Sequence, residues 1–171
     1  MQKNKRRGMF IFSRQIHTAG MIVGASVLVL VWLIICLGVG VPLSAFYHLR
    51  GITPLLPRWL YLLSDLLSRA ALGAAIGIVL CQRRYAFEIQ KYRGAFYFVL
   101  AVVFGYLFHA FFFGFGFFLV AFVLTAMEVF CLTVALLNFR YLNLLSSFLI
   151  FLVCIWGIYR MLLSFFCFFI V

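Results

Sequence analysis

Charge is scarce in this chain and negative charge is nearly missing. Of 171 residues, 10% are charged, and only three are Asp or Glu against 14 Lys or Arg. A soluble domain carries roughly 25% charged and about 45–50% apolar residues, whereas 68% are hydrophobic here. No water-soluble fold of this length can bury so much apolar side chain. The composition also excludes a disordered chain, a disulfide-rich secreted scaffold and a typical nucleic-acid-binding domain. Enzyme motifs are missing as well: there is no G-x-S-x-G, no H-E-x-x-H and no P-loop, and His17, His48 and His109 share no ligand spacing. Cys36, Cys81, Cys131, Cys154 and Cys167 sit in or at the ends of apolar runs without a C-x-x-C, as packed or lipid-facing side chains do. What remains is an all-α, polytopic membrane protein with little signal for enzymatic chemistry.

The basic residues that are present flank the apolar runs. Lys3, Lys5, Arg6, Arg7 and Arg14 precede the first run, and Arg83, Arg84, Lys91 and Arg93 share one short loop. Such clusters determine topology and face the cytoplasm and its anionic lipids; no nucleic-acid partner is expected.

A helix needs roughly 20 mostly apolar residues to cross a hydrocarbon core about 30 Å thick. Five runs qualify, at about 19–45, 59–81, 94–113, 117–137 and 141–165, so the reading is a five-helix bundle (19–171) behind a basic cytoplasmic segment (1–18). The third and fourth runs must fold back at Gly114-Phe115-Gly116, since one helix over 94–137 would reach about 66 Å. The first run is too long for a secretory signal of about 7–15 apolar residues, so it is read as a retained helix. With Arg140 counted beside the two basic clusters, and only Arg50 and Arg58 on the alternate side, the N-terminus is expected inside and the C-terminus outside. Gly20-x-x-x-Gly24 and Gly73-x-x-x-Gly77 mark faces where helices approach closely. The Phe-rich third and fourth spans either face lipid, fill the bundle, or wall a pocket for a flat aromatic ligand.

Ionisable groups inside a span cost at least roughly 2.5–3.5 kcal/mol each and therefore face the bundle interior or a cavity. Asp65, Arg69, His109 and Glu128 stand out, with Arg160 near the end of the last span as a fifth. Helix rise puts Arg69 and Glu128 level near the midplane, about 16 and about 18 Å from the outer end, and Asp65 and His109 in the outer half. The expected pairing is Arg69 with Glu128, while Asp65 pairs with Arg69 at i,i+4 or reaches His109. Three roles stay open for this set: structural interhelical pairs, a polar patch in a ligand cavity, or a proton or ion path. His109 is read as a hydrogen-bonded packing residue, with haem ligation the sharper alternative.

Residues Leu49 to Gly77 read L-R-G-I-T-P-L-L-P-R-W-L-Y-L-L-S-D-L-L-S-R-A-A-L-G-A-A-I-G. This resembles the translocator protein family, the tryptophan-rich sensory proteins (TspO/MBR), whose first loop carries W-Y-x-x-L-x-K-P-x-x-x-P-P-x-W-x-F and leads into a second helix ending near a Met-Gly. Leu49, Pro57, Trp59, Tyr61 and Gly73 fall in register with it. The stretch Phe104-Gly-Tyr-Leu-Phe-His-Ala-Phe-Phe-Phe-Gly114 is similar to the family's L-N-x-x-W-S-x-x-F-F-G, followed seven residues later by an alanine, here Ala121. The chain departs from the pattern at Asp65 and Arg69, where the family has Trp and Tyr, at Gly105 and Phe108, where it has Asn and Trp, and in the last helix, which lacks P-Y-x-x-W.

The resemblance implies a non-enzymatic binding or sensory protein with an intramembrane cavity under the first loop, taking a porphyrin- or lipid-like ligand. The expected ligand-binding set is Trp59, Asp65, Arg69, Phe108, His109 and Ala121, with the Arg69–Glu128 pair within the membrane and no resident cofactor apart from a porphyrin or haem-like ligand. Pro54 and Pro57 restrict the loop, Trp59 and Tyr61 suit the interface, and Arg50 and Arg58 suit an anionic ligand group. Partners are the lipid bilayer, a hydrophobic small molecule, and a second copy or a larger complex. The expected location is a bacterial inner membrane or an organellar one. The rival class is a structural or assembly subunit of a membrane complex, or the substrate-binding component of a transporter.

Overall fold

A computed structural model describes residues 2–38, 56–82 and 88–170. Arg50, Pro54, Arg83 and Arg84 lie outside the described residues, as do the side chains of residues 2–17 and of Arg58. The described chain forms five long helices and no strand: α1 Gln2–Gly38, α2 Arg58–Cys81, α3 Glu88–His109, α4 Phe118–Phe139 and α5 Leu144–Ile170. Each contains a stretch long and apolar enough to cross a bilayer, and the chain is an integral membrane protein. The expected basic segment 1–18 is continuous with α1 in backbone, α3 begins at Glu88 rather than Gly94, and α5 continues to Ile170 rather than 165. Residues 39–45 of the first expected span lie outside the described residues.

Local chemistry sets the helix ends. Pro57 opens α2 with its fixed φ (−51°), and its carbonyl accepts from the amides of Leu60 and Tyr61 at 2.9 and 3.0 Å; proline lacks only an N–H that a helix start leaves unpaired anyway. Asn143 caps α5, its side-chain oxygen accepting from Leu145 N–H (2.9 Å) and Ser146 N–H (3.3 Å). Between α3 and α4 the backbone widens into a π turn over Ala110–Gly114. Gly116 then takes φ +68°, a left-handed conformation that suits glycine. Phe117 N–H donates back to the Phe111 carbonyl at 2.9 Å, so the reversal satisfies its own polar groups, as lipid demands.

Packing does not follow chain order. The helices neighbour one another as α1–α2–α5–α4–α3, and α3 returns to α2 through a few contacts. Helices α2, α5, α4 and α3 thus ring a common interior, with α1 laid on the outside of α2; only 6% of its apolar stretch is buried. The α1–α2 seam is built from glycine. Gly24 lies against the backbone of Gly73, and Gly20 against that of Gly77, so a Cβ at any of the four would overlap the opposing carbonyl. Close backbone approach of this kind is what holds helices together where lipid removes the hydrophobic drive.

The interior is layered by depth. One end holds an apolar core that includes Leu72, Val79, Phe98, Leu132, Phe139 and Ile150. The other holds an aromatic cluster of Tyr61, Phe108, Phe112 and Phe113 with Ala121 and Leu163. Between them, on all four ring helices, lie Asp65, Arg69, His109, Glu128 and Arg160, each buried. Ser146 joins α5 to α2 by donating to the Ala75 carbonyl at 3.0 Å.

The seam makes a prediction. Gly73→Leu should lose at least roughly 1–3 kcal/mol, the cost of overpacking a tight contact, seen as a lower melting temperature in detergent. Leu30→Ala, on the exposed face of α1, should leave the melt unchanged.

Candidate functional site: a buried ionic layer

Asp65 projects from α2 to the place where three other helices meet it. Its Oδ2 accepts from Trp32 Nε1–H of α1 at 2.5 Å, and its Oδ1 from Trp156 Nε1–H of α5 at 3.0 Å. His109 of α3 brings Nε2 to 2.8 Å of Oδ2. The guanidiniums of Arg69 and Arg160 stand 3.7 and 3.8 Å from Oδ1. An indole N–H buried in an apolar medium needs an acceptor, and one carboxylate serves two of them.

Glu128 of α4 is the second acidic centre. Arg160 Nη2 lies 2.6 Å from both of its carboxylate oxygens, while Arg69 Nη1 is 3.7 Å from Oε1. The expected Arg69–Glu128 pair is therefore present but secondary, and the close partner of Glu128 is Arg160. Asp65 realises both of its expected alternatives, since Arg69 and His109 each face it. Both arginines also lie over aromatic rings: Arg69 is 5.0 Å from the Tyr106 centroid and Arg160 4.9 Å from that of Phe108, an arrangement worth about 2 kcal/mol when desolvated.

Gly105 makes room for this layer. A Cβ there would sit 2.5 Å from Glu128 Oε1 and 2.6 Å from Arg69 Nη1. Its carbonyl accepts from Arg69 Nη2 at 3.2 Å and from His109 Nδ1 at 2.9 Å. A carbonyl only accepts, so this bond puts a proton on Nδ1, and the opposite ring nitrogen is the one turned to Asp65. Both ring nitrogens thus face oxygen, and ligation of iron would require the imidazole to give up Asp65 or Gly105. Among the described residues no group of His, Cys, Asp and Glu is arranged to hold a metal ion.

Two carboxylates balance two guanidiniums, yet the hydrogen bonding is incomplete. Nε and Nη1 of Arg69 and the same atoms of Arg160 make no aligned hydrogen bond, although all are buried. Buried donors left in this state cost about 1–3 kcal/mol each, and such sites draw water or a polar ligand group.

The expected ligand-binding residues divide accordingly. Asp65, Arg69 and His109 meet in the ionic layer, and Phe108 and Ala121 lie fully buried in the adjoining aromatic layer. Trp59 does not join them; it is 68% exposed. Sequence reasoning left Arg160 at the edge because the last span was expected to end near 165. With α5 running to Ile170, Arg160 lies about 15 Å in from that end, well inside the helix. Trp32 and Trp156 were missed altogether, and the available signal was the need of an indole N–H within a span for an acceptor.

No described protein family, no curated protein and no solved structure matches the chain.

Glu128→Ala should cost about 3–5 kcal/mol by leaving Arg160 buried without its partner. The double change Glu128→Leu with Arg160→Met should recover most of that loss, read from thermal melts in detergent. Gly105→Leu should destabilise as strongly as Glu128→Ala, because its side chain would enter between Glu128 and Arg69.

Proposed function

We propose that this chain is a non-enzymatic membrane protein that binds a hydrophobic ligand bearing an acidic group, porphyrin- or lipid-like, between the ionic and aromatic layers. The observation that carries this reading is the row of buried Arg69 and Arg160 donors without aligned acceptors, set directly against aromatic rings. The ligand's acidic group would meet the guanidiniums. Its flat body would lie among Phe108, Phe112 and Tyr61, where Trp156 and Tyr159 already stack with centroids 4.9 Å apart. The similarity of residues 49–77 and 104–114 to the translocator family favours the same class of ligand.

Entry would come from the end at which Leu56 N–H donates to the Tyr159 hydroxyl at 3.1 Å. That bond ties the chain just before α2 to α5, directly over the aromatic layer, so a ligand must part it. A cytoplasmic N-terminus in a bacterial inner membrane or an organellar one is part of the proposal, supported by Lys91, Arg93 and Arg140 near one end of the bundle.

A second reading, as a subunit of a larger membrane complex, is favoured by α1. Its outward face presents Ile22, Val23, Val27, Leu30 and Ile34, all more than half exposed, and a partner helix could dock there as readily as lipid.

Titration of the purified protein with protoporphyrin IX, followed by tryptophan quenching and thermal shift, tests the first reading. Saturable micromolar binding is expected. Phe108→Ala should weaken it about tenfold, equivalent to 1.4 kcal/mol, while Trp59→Ala should leave it unchanged. Unsaturable partition into micelles, or equal affinity in Phe108→Ala, would overturn the ligand reading and turn attention to partner subunits.

A further inference from the structure

We propose that the furrow between the end of α4 and the start of α5 holds an anionic phospholipid, with its phosphate at Arg140 and an acyl chain along Leu144, Phe148 and Phe151. The furrow is open to the side and has a volume of about 960 Å³. Its lining is apolar almost throughout, with Leu136 and Leu145 completing the walls, and Arg140 is the one charged residue in it. Ser147 also borders the furrow, but its hydroxyl is turned to the Leu136 and Asn143 carbonyls at 3.4 and 3.3 Å. The polar contact offered to a ligand is therefore the guanidinium.

That guanidinium is free to take it. Arg140 is exposed and has no carboxylate partner among the described residues; it lies over the Tyr141 ring, 5.3 Å from centroid to Cζ. The chain has only three acidic residues. Asp65 and Glu128 are committed to the buried layer, and Glu88 stands at the start of α3. Among the described residues none of the three forms an ion pair with Arg140.

Position argues for an amphiphile rather than a free anion. Arg140 lies in the α4–α5 turn, where both spans end, and Tyr141 beside it is 54% exposed, at the level where amphipathic rings settle. From Leu144 to Phe151 the furrow runs about 10 Å toward the middle of the span, with Leu144, Phe148 and Phe151 all more than half exposed. A cation at headgroup level above an open apolar channel matches a charged head joined to a hydrocarbon tail. The same end carries Lys91 and Arg93 at the start of α3, where Gly94 lies against the Phe139 ring, so anionic headgroups gather on this side.

The test places a tryptophan reporter in the furrow by Phe148→Trp and reconstitutes the full chain in phosphatidylcholine vesicles. Equal fractions of dibrominated phosphatidylglycerol or dibrominated phosphatidylcholine are then added, and quenching in excess of the parent protein's is recorded. The expected result is a preference of about fivefold for phosphatidylglycerol, the factor that one interfacial cation supplies. Arg140→Gln should abolish the preference and Arg140→Lys should keep most of it. Arg93→Gln, a charge at the same end but outside the furrow, should leave it intact. Equal quenching by both lipids, a preference that survives Arg140→Gln, or equal loss in Arg93→Gln would overturn the proposal. Abolition by excess inorganic phosphate would also do so, by showing a free-anion site in place of a lipid site.

Discussion

One carboxylate fixes the geometry of this bundle. Asp65 is wholly buried, and around it converge an indole from α1, an indole and a guanidinium from α5, an imidazole from α3 and a guanidinium from its own helix. A buried anion is tolerable only where donors surround it, and in lipid no water can supply them. Each helix that sends a donor is held in rotation and depth by that requirement. The Arg160–Glu128 contact extends the constraint to α4, so the ionic layer reaches every helix. Apolar packing above and below that layer is far less directional and accommodates the positions that the charges impose.

Glycine supplies the complementary device, which is proximity. At the α1–α2 seam it brings two backbones together, and that places Trp32 within reach of Asp65. At Gly105 it does the opposite, opening a space into which Glu128 and Arg69 extend. The first use matches the small-residue faces visible in the sequence. The second had no such signature, because a lone glycine in an apolar run says nothing of what fills the space beside it.

Span number, helical class and membrane character were legible because hydropathy over about 20 residues is a direct reading of the solvent. The levels of Asp65, Arg69, His109 and Glu128 relative to one another were legible because helix rise is constant, and a charge inside a span must find a partner. Partner choice was not. Arg69 and Glu128 are level, but Arg160 is level with them too once α5 runs to its full length, and its Nη2 reaches both oxygens of Glu128. Neighbour order was equally hidden: α2 and α3 are consecutive in the chain yet barely touch, whereas α5 packs against both α2 and α4. Trp59, an interface residue by type, remained at the surface, whereas Trp32 and Trp156 went inside to solvate a carboxylate.

The place of α5 in the ring bears on how the protein is made. Helices emerge from the ribosome in chain order, so α1 and α2 can close their glycine seam early, with Trp32 already against Asp65. Glu128 enters the membrane on α4 before its close partner exists. Arg160 arrives last, on the helix that must slide between two earlier ones, and only then is the second acid neutralised at short range. Until then Arg69, already in place on α2, is the cation that faces Glu128, and the last helix exchanges that long contact for a short one.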